Sequence, residues 1–254
     1  VPGVYVFTVA RTGGTSRTVN VVVGDVAGLR VDGNQQNAFV VGFRTNTTNS
    51  VLNGSTNIFD AFIGSNALSA GLGLHPNGNF YYLDYNNAGT QNGNVILYGA
   101  RANGASAGTN VGTFDVNGAS NAELGFVRLA FDPLGRGWIL AAAGTTIYLA
   151  RFDISVTNNG IDAATFTLED GSVGLTGGGT VATFVNGDIA FTANGKMYAL
   201  ANDGSGTTYI YSGSPNGAST VLNRTWIALN GTSNFTGQVD GIAFDVLGNL
   251  FIST

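Results

Sequence analysis

Residues 240–253 read Asp240-Gly-Ile-Ala-Phe-Asp-Val-Leu-Gly-Asn-Leu-Phe-Ile-Ser253. Ile242 and Phe244 lie two apart, the spacing that puts side chains on one face of a strand. A four-residue turn ends in Gly248, and an aromatic, Phe251, follows three residues later. The core of this stretch recurs without gaps at Leu72–Leu83, Leu129–Leu140 and Ile189–Leu200. The glycine shared by all four copies falls at Gly78, Gly135, Gly195 and Gly248, with spacings of 57, 60 and 53 residues.

Each column of the repeat has a physical meaning. Leu72, Leu129, Ile189 and Ile242 share a face with Leu74, Phe131, Phe191 and Phe244. Between them stand only small residues, Gly73, Ala130, Ala190 and Ala243, which points to close approach of a neighbouring element. The shared glycine suits a turn that needs a left-handed backbone. The aromatic column, Tyr81, Trp138, Tyr198 and Phe251, predicts a second strand with a large side chain filling an intersheet gap.

Two further apolar runs follow each complete hairpin. The third strand is read at Val95–Tyr98, Ile147–Ala150 and Tyr209–Tyr211, and the fourth at Val111–Phe114, Ala164–Thr167 and Thr225–Ala228. Four short strands in a unit of about 55 residues is the plan of a β-propeller blade. The fold class predicted is all-β, a propeller of about five four-stranded blades, with units at 70–121, 122–179 and 180–237 and a divergent unit at 25–69. A β-solenoid would repeat at a shorter period and a string of immunoglobulin-like sandwiches at a longer one. Residues 1–24 carry two strand-like runs, Val4–Val9 and Thr18–Val23, and form their own segment ahead of a propeller at 25–254. They are expected to complete the blade begun by Asp240–Thr254, within one chain or between chains; the competing account makes them the last hairpin of an immunoglobulin-like domain.

The segment Asp240–Ser253 resembles the blade signature of NHL-type and gluconolactonase-like propellers, repeats that also occur in bacterial secreted and surface proteins. The resemblance spans residues 70–254 and implies a fold more than an activity. His75 and Thr192 replace the turn aspartate present at Asp132 and Asp245. The metal-binding Glu, Asn and Asp set of lactonase-like enzymes finds no match, and the Trp-Asp signature of WD repeats is absent.

Composition narrows the function classes. Charged residues make up 10% of the 254, with net charge −5, which argues against a nucleic-acid partner needing a basic face. There is no Cys and one His, so neither a disulfide framework nor a Cys/His zinc site is expected. No apolar run is long enough for a membrane-spanning helix, and no signal peptide is legible. Asn (28 residues) accompanies Gly, Ser and Thr, the chemistry of turns and polar loop tips. Asn-x-Ser/Thr triplets at Asn46, Asn53, Asn223, Asn230 and Asn234 are as frequent as such a composition produces by chance.

Candidate sites are each read beside a plainer role. His75 occupies the turn column and is read as a turn residue rather than a general base. Asp132 and Asp245 are read as bonding their own turn backbone. Asn202-Asp203-Gly204-Ser205-Gly206 lacks the terminal bidentate Glu of a calcium loop and is read as a hairpin tip, as is Asp84 with Asn86 and Asn87. Tyr81, Tyr82 and Tyr85 could stack on sugars, with Tyr81 assigned to the core. Gly177-Gly178-Gly179 lacks the Lys-Ser/Thr of a phosphate loop and reads as a linker between units. No catalytic, cofactor-binding or metal residue is assigned, and no cofactor is expected. The chain is expected to be not an enzyme but a noncatalytic extracellular binding or assembly module of a cell-surface or filament protein. Its expected partners are further copies, through the terminal strands, or a surface glycan or protein. The alternatives are a propeller hydrolase or lactonase with a channel metal, and a lectin-like carbohydrate-binding propeller.

Overall fold

The computed structural model describes residues 3–9, 17–23, 26–31, 37–46, 51–65, 69–75, 79–84, 94–101, 109–117, 124–155, 163–178, 180–181, 184–202, 207–225, 235–236, 241–244, 248 and 250–253. The chain is all-β, built from several antiparallel sheets. It divides into two compact units. One comprises Val1–Asn86, Ile96–Thr113 and Ile154–Ala164; the other comprises Asn87–Val95, Phe114–Asp153 and Thr165–Thr254.

In the first unit, β1 (Gly3–Val9) and β2 (Arg17–Val23) form a two-stranded sheet. Among the described residues, the divergent unit holds a three-stranded sheet of β3 (Val26–Val31), β4 (Asn37–Asn46) and β5 (Val51–Ser65). β6 (Ser69–Leu74), β7 (Asn79–Asp84), β8 (Asn94–Arg101) and β9 (Thr109–Asp115) follow in the order β6-β7-β8-β9. Phe80, Tyr81, Tyr82 and Leu83 are all buried, so β7 is covered on both faces.

The second unit repeats the plan. β10 (Leu124–Phe131), β11 (Gly137–Ala143), β12 (Thr146–Ile154) and β13 (Ala164–Asp170) form a four-stranded sheet in chain order. The next sheet holds β15 (Asn186–Phe191), β16 (Met197–Asn202), β17 (Thr207–Gly213) and β18 (Val221–Thr225). It gains β14 (Gly174–Thr176), which runs parallel to β18, and β19 (Phe235–Thr236), which pairs with β17. β20 (Gly241–Phe244) and β21 (Leu250–Ser253) form a separate two-stranded sheet.

The repeat hairpin is the same in all four copies. Leu74 pairs with Phe80, Phe131 with Gly137, Phe191 with Met197 and Phe244 with Leu250. In two of them the three-residue turn is closed by the same bonds: Gly135 N donates to Asp132 O and Asp132 N to Arg136 O, both at 2.9 Å, with Gly195, Thr192 and Lys196 repeating the pattern at 2.9 and 3.0 Å. Gly135, Gly195 and Gly248 have φ of 80°, 81° and 84°, the left-handed position of such a turn, which any side chain would strain. The small column lies directly across from the aromatic one: Gly73 opposes Tyr81, Ala130 opposes Trp138, Ala190 opposes Tyr198 and Ala243 opposes Phe251.

Period-two faces then stack sheet on sheet. Phe126, Ala130, Trp138, Leu140 and Leu149 of the β10–β13 sheet share one core with Ile189, Met197, Ala199 and Leu222 of the β15–β18 sheet. The opposite face of that second sheet, through Ala190, Leu200 and Ile210, packs with Ile242, Phe244 and Leu250. Trp138 meets Phe191 with ring centroids 6.1 Å apart, and Tyr198 meets Phe244 at 5.1 Å. In these two copies the aromatic column joins one sheet to the next. Trp138 is buried as expected, whereas Tyr198 is half-buried; the side chain of Phe251 lies outside the described residues.

Candidate functional site

The first strands of these sheets lie side by side, β10 against β15 and β15 against β20. One residue ahead of the repeat, these strands carry Arg128, Asp188 and Gly241 in one column. The two charged members are both half-buried. Asp188 Oδ1 accepts a hydrogen bond from Ile189 N (2.8 Å) and Oδ2 accepts one from Ile242 N on β20 (3.1 Å). Arg128 Nη1 donates to Val127 O at 2.7 Å, and its Nε donates to Gly187 O on β15. Its guanidinium also sits 5.0 Å from the centre of the Phe126 ring. Gly187, between these two contacts, has φ of 134°, and a Cβ there would come within 2.0 Å of Leu200 O. Only glycine brings the chain this close.

Burial pushes the Asp188 carboxyl up from 3.8 to about 6. The N–H groups of Ile242 and Ile189 and the charge of Arg128 pull the other way and offset the effect only in part. Two of the carboxylate's roughly four lone-pair positions are used by these N–H groups, which leaves acceptor capacity for a proton. A carboxyl that exchanges its proton near neutral pH is suited to general acid–base work.

The residues singled out in the sequence are distributed otherwise. Asp132 is buried and accepts bonds from Leu134 N (2.9 Å), Arg136 N (3.0 Å), Arg136 Nε (2.7 Å) and Trp138 Nε1 (3.0 Å). It is the turn residue expected, and it anchors the aromatic column as well. Thr192 takes the same place with its hydroxyl, accepting from Lys196 N at 3.2 Å. His75, 8% exposed, donates its backbone N–H to Asn79 O and meets the Tyr81 ring edge-on at 5.8 Å. Tyr81 and Tyr82 are buried, Tyr82 stacked on Tyr98, so neither offers a face to a sugar. Gly177 and Gly178 directly follow β14 with φ of 81° and 90°. Asn223 is exposed on β18, where Thr176 Oγ1 donates to its Oδ1. Asn46 and Asn53 lie in β4 and β5. Asp245, Tyr85, Asn86, Asn87, Asn230, Asn234, Gly179 and residues 203–206 lie outside the described residues. Arg128 and Asp188 carried a signal in the sequence: each immediately precedes an aligned copy, in a column otherwise held by glycine.

Among the described residues no three His, Cys, Asp or Glu side chains come together, and no helix is long and apolar enough to cross a membrane.

No protein-family model and no curated protein matches this sequence. Solved structures similar to it include a protein of unknown function from Bacteroides caccae (11% identity, TM-score 0.44, covering 90% of this chain and 65% of that one). A 6-phosphogluconolactonase-like protein from Bacteroides uniformis is 16% identical, with a TM-score of 0.37, over 83% of this chain and 54% of that one. A luciferin-regenerating enzyme is 14% identical, with a TM-score of 0.43, over 90% of this chain and 69% of that one. The chain spans less than two thirds of the length of the first two.

The expectation that the chain is not an enzyme is corrected here. Two of these similar structures are enzymes by name, and the scarcity of His and Cys behind that expectation does not exclude acid–base chemistry. A carboxyl held partly out of water can exchange a proton near neutral pH without either residue, and the half-buried Asp188 has that setting.

Proposed function

We propose that this chain is a β-propeller hydrolase in which Asp188 is the acid–base group and the substrate is a sugar-like lactone or ester. The half-buried carboxyl on a first strand, with its proton affinity raised toward neutral, carries the reading. The four-copy hairpin and the stacking of successive sheets support the propeller assignment. Polar, uncharged loops rich in Asn, Gly, Ser and Thr suit a polyhydroxylated substrate.

In this mechanism the Asp188 carboxylate takes a proton from a water molecule as the water oxygen bonds to the acyl carbon. The acyl C–O bond then breaks, and the proton returns to the departing alkoxide. Lactone and water become one hydroxy acid, with Asp188 regenerated.

The test is a panel of sugar lactones and aryl esters assayed with the full chain and with Asp188→Asn. Turnover should increase with pH through about 6. The substitution should lower kcat/KM by about 10²–10⁴-fold while circular dichroism stays unchanged. Turnover untouched by the substitution, or none on any member of the panel, overturns the reading.

A further inference from the structure

We infer that Arg128 is a positioning residue for Asp188: it fixes the peptide that presents the carboxyl, and its charge favours the ionised carboxylate. The inference deepens the hydrolase reading above and rests on it for its catalytic meaning.

The geometry begins with the arginine itself. Val127 O and Gly187 O both accept from its guanidinium, and the Phe126 ring lies 5.0 Å from it. It is therefore held to its own strand and to the next one together. Its acceptor on β15 is the carbonyl of Gly187, the peptide that leads directly into Asp188. A Cβ at Gly187 would come within 2.0 Å of Leu200 O, so this peptide can take only glycine ahead of Asp188. Asp188 continues the connection by accepting from Ile242 N on β20. One relay, Arg128 to Gly187 to Asp188 to Ile242, thus ties three successive first strands.

The charges around the carboxyl make the arginine's second effect separable. β10 contributes Arg128. The facing residues of β16 and β20 are Leu200 and Ile242, which do not titrate. Asp240, ahead of β20, lies outside the described residues. Among the described groups, then, Arg128 is the charged side chain that opposes the effect of burial on Asp188.

The experiment is an NMR titration of the Asp188 side-chain carboxyl in the full chain, compared in Arg128→Gln and Arg128→Lys. Gln keeps a hydrogen-bond donor and loses the charge; Lys keeps the charge. The Gln variant should raise the midpoint by at least about half a pH unit, as expected when an opposite charge nearby is lost, and the Lys variant should stay near the parent. A Gln midpoint equal to the parent's overturns the inference. If the Gln variant does not fold, a salt series on the parent decides: screening should raise the midpoint, and a midpoint indifferent to salt overturns the proposal. A midpoint that moves in a protein that hydrolyses nothing would leave this inference standing and remove the hydrolase reading, so the two fail separately.

Discussion

Asp132 accepts four hydrogen bonds, and the indole of Trp138 supplies one of them while its ring fills the contact with Phe191. Trp138→Ala therefore removes a buried aromatic and leaves Asp132 short of a donor. Chemical denaturation should show a loss of about 3–5 kcal/mol; a loss below about 1 kcal/mol would place the ring in solvent. Gly137 is a second sensitive position. It stands in the column that holds Phe80, Met197 and Leu250 in the other copies, and the Phe152 ring passes 2.0 Å from where its Cβ would be. Phe152 is itself buried and packs edge-on against Phe131, so the ring could shift only against that packing. Gly137→Ala should cost about 1–3 kcal/mol, the range for overpacking, and a neutral result in the same denaturation experiment would show that the ring can give way. The Trp138 column was legible in the sequence because one large residue recurs at a fixed distance from one glycine. The reason for Gly137 was not, since its neighbour Phe152 lies on β12, outside the aligned hairpin.

Strands are legible here where side chains alternate and a glycine marks the turn, which is why β10, β11, β15, β16, β20 and β21 could be read ahead of the structure. β14 shows where that signal ends. Gly174–Thr176 is three residues long, has no apolar alternation, and its parallel partner lies in Val221–Asn223. Long-range bonds hold it there: Gly174 N donates to Thr220 O (3.0 Å), and Thr176 Oγ1 to Asn223 Oδ1. Asp170, 3% exposed, sits at the centre of this tie and accepts from Ser172 N and Thr220 N, both at 2.8 Å. Asp170→Ala would leave two N–H groups without their acceptor; Ser172 is exposed and water can take its place there, but Thr220 is buried, and a buried unmet donor costs about 1–3 kcal/mol. The expected outcome is a loss of about 1–3 kcal/mol, together with faster hydrogen exchange confined to the N–H groups of Ser172, Gly174 and Thr220. Exchange at these three amides equal to that of the parent would mean that β14 is held by its backbone ladder alone.

At the scale of the whole molecule, the columns that build the fold and the column that holds the candidate site were not equally visible. Apolar columns announce themselves by recurring, because every interface between sheets needs the same filling. Arg128 and Asp188 stand out only as two charges in a column otherwise held by glycine; their meaning comes from first strands brought together, a long-range contact absent from any local pattern. Their placement ties stability to pH. Burial raises the proton affinity of Asp188 from 3.8 to about 6 in the folded chain. Between those values the folded chain binds more protons at this site than the unfolded chain, so stability decreases as pH rises. The contribution is fully present below the ordinary carboxylate range and is gone once pH passes about 6. Asp188→Asn has no such proton to lose. Thermal midpoints of the parent and the variant, measured from pH 4 to pH 7 at fixed ionic strength, should therefore differ by an amount that changes by a few degrees in favour of the variant as pH rises. A constant offset across that range would show that Asp188 ionises alike in the folded and unfolded chain, and a change of the opposite sign would show that the two N–H groups and Arg128 outweigh its burial.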